Sequence, residues 1–172
     1  GSLGDTVVAL PCFHVIARIF EQAERKVLTN FPVSSMAPAL AEVLGSSGLV
    51  HGYISYPQRM RQFRLIWDLY RTIRAYRPDL LIYLTGYRGL FSTLRDALFF
   101  KLCGVRSIYG VPLSAEKWQH EAASDGKGYE RESLRLARSL EALAPVDVSD
   151  HRYWDLRLSR EERHAYDAYV SP

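Results

Sequence analysis

A chain of 172 residues with 48% apolar and 24% charged residues can bury a core without disulfide staples and is too mixed in character for a disordered or collagen-like polymer. A formal net charge of +3 is too small to argue for a nucleic-acid partner, and no basic stripe interleaved with aromatics adds to it. No apolar run approaches the ~20 residues that a membrane span needs, and nothing at the start resembles a signal peptide, so a cytoplasmic location is expected.

The opening stretch, Gly1-Ser2-Leu3-Gly4-Asp5-Thr6-Val7-Val8, reads as a glycine-bracketed turn feeding a helix whose first residue could be Asp5. Two roles compete for that side chain. As an N-cap it accepts a hydrogen bond from a free backbone N–H, worth ~1 kcal/mol. As a chemical group it stays ionised at the positive end of the helix, and the neighbouring Gly4 lets a substrate approach closely.

The first helix is expected over Thr6 to Gln22, from apolar residues at Val8, Cys12 or Phe13, Val15, Ile16, Ile19 and Phe20, with Pro11 loosening its second turn. A short strand follows at Lys26 to Asn30. Met36 to Leu44 reads as a helix, capped by Ser34 or Ser35 and stopped by Gly45. Leu49 to Ser55 reads as a strand of modest quality.

A long helix from Arg59 to Tyr76 should end before Arg77-Pro78, because a residue preceding proline avoids the helical region. Its expected buried stripe is Phe63, Ile66, Leu69, Tyr70 and Ile73. Arg61, Arg64 and Arg71 then form a solvated face. The strongest strand pattern is Asp79 to Thr85, nearly continuous in apolar character, as suits a strand covered on both sides.

Gly86-Tyr87-Arg88-Gly89 turns the chain into a helix over Leu90 to Leu102, closed by Gly104. Arg106 to Gly110 is a further strand, stopped by Pro112. Ser114 to Lys127 is polar and reads as an irregular surface loop. Tyr129 to Leu143 returns to helix, with Leu134, Leu136, Ala137 and Leu140 inward. Beyond Asp147 come Trp154, expected to anchor a linker, and Ser159-Arg160-Glu161-Glu162, a capping-box pattern before a last helix to Val170.

Alternation of strand and helix at this spacing predicts an α/β fold, a Rossmann-like parallel sheet with helices on both faces. Ligands of such sheets sit at the carboxyl ends of the strands. That rule gathers Gly4, Asp5 and Thr6, the Thr85, Tyr87 and Arg88 turn, and the loop after Gly110 on one rim. Only three residues precede Gly4, whereas a preceding strand needs about five. The expectation is therefore a piece of a longer protein: residues 1–147 as the domain, its first strand missing, and 148–172 as a linker and helix toward a further domain.

Cys12 and Cys103 lie far apart amid apolar neighbours and read as buried thiols without a disulfide or metal role. His14 and His51 sit beside apolar residues and are expected to carry no chemistry. His120, His151 and His164 share no ligand spacing, so no metal and no cofactor are expected.

The residues Gly1-x-x-Gly4-Asp5-Thr6-Val7-x-x-Leu10-Pro11 resemble the opening signature of the heptosyltransferase family of glycosyltransferases, family nine. Pro78 to Ile82 leading to Gly89-Leu90-Phe91-Ser92 is similar to the family's central strand and following helix. Val105 to Gly110 is similar to its next strand, and Tyr129-Glu130-Arg131 with Leu136 to Leu140 to its last long helix. The resemblance covers roughly residues 1 to 145, and the opening signature is its specific part.

That resemblance implies the N-terminal, acceptor-side half of a two-domain GT-B glycosyltransferase. The other half would bind an activated sugar such as ADP-heptose, and Asp5 would be the catalytic base. It further implies a glycan or glycolipid acceptor of lipopolysaccharide type, anionic in character, with Arg88 and Arg131 as guanidinium clamps and a peripheral place at the inner membrane. Two other readings stand beside it. One is a nucleotide- or phosphate-binding module built on the Gly1 to Thr6 turn, although the full Gly-x-Gly-x-x-Gly pattern is lacking and an acid there repels phosphate. The other is a non-catalytic docking domain presenting Trp118, Trp154 and the arginine-rich helix.

Overall fold

The computed structural model describes residues 3–30, 43–45, 47–57, 62–86, 88–111, 121 and 128–170. They form a mixed α/β chain that divides into two compact units. Residues 1–55 with 149–172 make the first, and residues 56–148 the second.

In the first unit, α1 spans Leu3–Val8 and α2 spans Leu10–Ile19. The single helix expected from Thr6 is therefore two, starting earlier and breaking at Ala9. Pro11 explains the break: it has no N–H to offer the carbonyl four residues back, and its ring crowds that turn. A proline is tolerated in a helix's first turn, which is where α2 places it. On the far side of the break Phe13 N–H still donates to Ala9 O at 3.1 Å.

Strands β1 (Lys26–Asn30) and β2 (Gly52–Tyr56) pair as a two-stranded sheet. β1 follows the expectation, while β2 begins three residues later than its apolar pattern. Arg25 pins the entry to the pair. Its guanidinium donates to Phe20 O at 2.6 Å, Leu49 O at 3.0 Å and Gly48 O at 3.2 Å, and its backbone N–H donates to His51 Nδ1 at 2.9 Å.

Leu10, Cys12, Val15, Leu44 and Leu49 are at most 1% exposed and form the core of this unit, each stabilising it by ~1.5–3 kcal/mol through burial. The short 3₁₀ turn His151–Trp154 packs on α2. His14, buried, meets Asp155 O through Nε2 at 2.7 Å and faces the Tyr153 ring. Arg18 Nη1 donates to the Tyr153 hydroxyl at 2.6 Å. Tyr153 thus makes the aromatic contact with α2, beside a half-buried Trp154.

The last helix, α6 (Arg160–Val170), opens on the capping box that its sequence announces. Ser159 N–H donates to Glu162 Oε2 at 2.6 Å and Glu162 N–H to Ser159 Oγ at 3.2 Å. Two orphan donors of the first turn are satisfied reciprocally.

In the second unit, α3 spans Phe63–Tyr76 and stops where expected. Arg77 takes a left-handed conformation, φ 54, and its N–H donates to Ile73 O at 3.1 Å. Leu69 and Ile73 of the expected stripe are buried, but Phe63 is 77% exposed. Its ring stacks instead on the half-exposed Trp67 one turn on, with centroids 6.4 Å apart.

Strands β3 (Leu80–Ile82) and β4 (Ser107–Tyr109) run parallel, joined by α4 (Leu90–Leu102), with Leu80 opposite Ser107, Leu81 opposite Ile108 and Ile82 opposite Tyr109. Among the described residues the parallel arrangement thus takes the form of small two-stranded sheets, of which this β-α-β unit holds one. Its strands are shorter than expected and only partly covered. Tyr83 N–H still donates to Tyr109 O at 2.8 Å past the end of β3.

Helix α5 covers Glu132–Leu140, three residues shorter at each end than the pattern from Tyr129 to Leu143. Leu136, Ala137 and Leu140 are buried as expected, whereas Leu134 is 40% exposed and Arg135 and Ser139 lie inside. The buried face is rotated from the purely apolar one. Cys12 and Cys103 are both buried and not in a disulfide, as expected, and burial pushes the Cys103 thiol above its ordinary value.

Candidate functional site

Asp5 lies within α1, in its first turn, and is exposed. It is not the cap in front of a helix, because α1 already begins two residues earlier, at Leu3; its own carbonyl accepts from Ala9 N–H at 3.3 Å. Gly4 is exposed beside it, and Thr6 is buried at 1% exposure. A carboxylate in a helix's first turn is favoured by the macrodipole, typically by 0.3–1 kcal/mol at an exposed position.

The second unit assembles a polar cluster at the carboxyl end of β3. Tyr83, buried, donates its hydroxyl to Asp96 Oδ2 at 3.1 Å. Arg88 Nη2 donates to the same Asp96 oxygen at 2.8 Å and to the Tyr83 hydroxyl at 2.9 Å. Arg95 Nη2 donates to the other carboxylate oxygen at 2.7 Å. One carboxylate thus serves two guanidinium groups, and the cluster keeps a net positive charge.

The hydrogen bond to Tyr83 is the chief reason that the Arg88 guanidinium is held even more firmly in its charged form than an ordinary arginine. Burial pushes the Tyr56 phenol up; Arg88 acts against that shift, and Asp96 and Tyr83 add to it. Through its guanidinium groups the cluster can neutralise and orient an anion.

Beneath the Thr85-Gly86 turn lies Arg135, at 4% exposure. Its Nε donates to Glu132 Oε2 at 2.7 Å and its Nη2 to Glu132 Oε1. A Cβ added to Gly86 would stand 4.0 Å from Arg135 Nη2. Gly110, at φ +72, closes the same edge: an added Cβ there would come to 2.8 Å from Tyr83 O and 3.3 Å from Ser139 O. Only glycine fits both the dihedral and the space.

The residues expected on one rim therefore fall in two groups that belong to different units. Gly4, Asp5 and Thr6 are in the first; Thr85, Arg88 and Arg131 are in the second. Thr85 is exposed, Arg88 is held in the Tyr83–Asp96 cluster, and Arg131 is exposed as the residue capping α5, its carbonyl accepting from Leu134 and Arg135 N–H. Tyr87 and the loop from Pro112 to His120 lie outside the described residues, as do Arg61, Trp118 and most of the expected Met36 to Leu44 helix. Arg64 and Arg71 are exposed, as a solvated face requires.

Four residues of this edge escaped the reading of the sequence: Tyr56, Tyr83, Asp96 and Arg135. Tyr83 and Asp96 carried a usable signal, since the strand's last aromatic and an acid on the following helix's second turn are the positions from which a crossover helix meets its strand. Among the described residues no group of three or more histidines, cysteines or carboxylates could hold a metal ion, and no helix is long and apolar enough to cross a membrane. No family model matches the chain, and no curated protein or solved structure matches it either.

Proposed function

We propose that the chain is the acceptor-side part of an inverting glycosyltransferase of GT-B type, with Asp5 as the general base. The observation that carries this reading is an exposed carboxylate in the first turn of α1, directly after a glycine, within the Gly1-x-x-Gly4-Asp5-Thr6 signature. In the proposed step Asp5 takes the proton of an acceptor hydroxyl while the hydroxyl oxygen bonds the anomeric carbon. The bond from that carbon to the donor's phosphate oxygen breaks, and the nucleoside diphosphate leaves with the electron pair.

An exposed carboxylate is a weak base, so the value of Asp5 in this step lies in placement rather than in strong basicity. General-base assistance of this sort is typically worth ~10²–10⁴-fold. The net cationic Arg88–Arg95–Asp96 cluster supports an anionic acceptor, because guanidinium forks match phosphate and carboxylate oxygens.

The test is Asp5→Asn in the longer, donor-binding protein that this reading requires, assayed for transfer from ADP-sugars. The variant keeps size and polarity, so stability should change by less than ~1 kcal/mol while turnover falls by ~10²-fold or more. A fully active Asn variant refutes the assignment.

A further inference from the structure

Helix α3 packs by one side and leaves its aromatic side open. Leu69 and Ile73 are buried, whereas Phe63 and Trp67 are 77% and 50% exposed and Tyr70 is half-buried. Their rings form one column: the Trp67 centroid lies 6.4 Å from that of Phe63 and 5.1 Å from that of Tyr70, with the planes tilted by 17° and 23°. The Arg74 guanidinium ends the column, 5.9 Å from the Tyr70 centroid. Steps of four, three and four residues separate Phe63, Trp67, Tyr70 and Arg74. That is the spacing of the a and d positions of a heptad, so all of them stand on one seam about 16 Å long.

In that register Arg64 and Arg71 each follow a d residue and take the e positions, seven residues apart on one rim of the seam. Both are exposed, and among the described residues neither guanidinium meets a carboxylate or a carbonyl. Asp68 stands four residues after Arg64 and three before Arg71, exposed on the same flank, and pairs with neither; its carbonyl accepts from Thr72 Oγ1 at 2.9 Å. The g positions on the other rim are apolar, with Ile73 buried and Ile66 half-buried.

We infer that the seam of α3 docks an acidic amphipathic helix of a protein partner, whose apolar residues pack on Phe63, Trp67 and Tyr70 and whose flanking carboxylates reach Arg64 and Arg71. Charge complementarity selects this occupant. The rim offers guanidinium groups two turns apart that no acid engages, and a helix with carboxylates at the same two-turn interval meets both together. Trp, Tyr and Arg are also the residues on which protein–protein binding energy concentrates, whereas Lys is depleted there, and α3 contains no Lys. A second copy of α3 laid antiparallel would face e positions with e positions, arginine against arginine. Laid parallel, it would set both arginines against Ile66 and Ile73 and leave their charge unanswered. The inference is independent of the sugar-transfer reading, which uses neither this helix nor its arginines.

The probe is a synthetic amphipathic helical peptide with leucine at its a and d positions and glutamate at e and g, titrated into the whole chain while the Trp67 indole N–H resonance is followed; the same peptide with lysine in place of glutamate is the control. Saturable shifts are expected with the glutamate peptide and not with the lysine one, and the affinity should fall as salt shortens the screening length. Arg64→Glu with Arg71→Glu should reverse the preference between the two peptides. Trp67→Ala should weaken binding at least ~10-fold by calorimetry; should that variant lose its helical circular dichroism, the charge reversal, confined to exposed side chains, decides the matter. No binding of the glutamate peptide, equal binding of both peptides, or a preference unchanged by the charge reversal overturns the proposal. Self-association of the chain that Trp67→Ala abolishes overturns it in favour of a second copy. Tighter binding of oligodeoxythymidylate at the same resonance overturns it in favour of a single-stranded nucleic acid, whose bases would stack on the rings.

Discussion

Replacing Gly110 by alanine tests whether the edge of the β3–β4 pair is built as tightly as its geometry says. Two costs combine at this position. A left-handed backbone costs an alanine ~1–2 kcal/mol relative to glycine, and Gly110 sits at φ +72. The new Cβ would also stand 2.8 Å from Tyr83 O and 3.3 Å from Ser139 O, and both are backbone atoms that cannot swing aside as a side-chain tip does. Overpacking of this kind typically adds ~1–3 kcal/mol, so the total is ~3 kcal/mol.

Gly104→Ala is the matched control in the same unit. Its φ is +95, yet the nearest atom to the added Cβ is the flexible tip of Arg74, at 3.9 Å. It should lose only the backbone term, ~1–2 kcal/mol. Urea unfolding followed by circular dichroism measures both; for a unit of this size each kcal/mol lowers the thermal midpoint by roughly 4–8 °C. Equal losses from the two variants would mean that the crowding at Tyr83 and Ser139 relaxes freely, and the account of this edge would fail.

Two smaller effects are open to measurement. Ser159→Ala breaks one half of the α6 capping box and should raise amide exchange in that helix's first turn by an amount equivalent to ~1 kcal/mol, with the amides of α2 unaffected; exchange unchanged at α6 contradicts the reciprocal pairing. Asp150 should titrate in the native chain at about 2, lowered chiefly by the Arg152 side chain and by Arg152 N–H. A lowered carboxyl stabilises the fold above its unfolded value of roughly 4 and loses that contribution as pH falls through about 2, so a carboxyl-carbon resonance moving near pH 4 would show that the cap on the 3₁₀ turn does not form.

Local signals in the chain sufficed wherever the deciding interaction is itself local. The Ser159 and Glu162 pair, the stop of α3 before Pro78 and the closure of α4 before Gly104 depend on residues within one turn of each other, and all are where their patterns put them. A nearly continuous apolar run likewise identified β3, and the turn ending at Gly89 with Gly104 bracketed α4. Periodicity, however, ranks faces only by polarity. It could not say that α5 would turn Arg135 inward, because Glu132 three residues earlier makes that pair look like any solvent-exposed ion pair, and only the packing under the Thr85-Gly86 turn removes it from water. Nor could it say that α4 would leave five large apolar side chains outside, since nothing in the helix itself distinguishes a face covered by a neighbour from one left open. The placement of Asp5 turned on a different matter. Its helix begins at Leu3 and breaks at Ala9, so the same carboxylate that reads as a cap in a string of letters becomes an exposed first-turn acid once backbone hydrogen bonds decide where the helix starts.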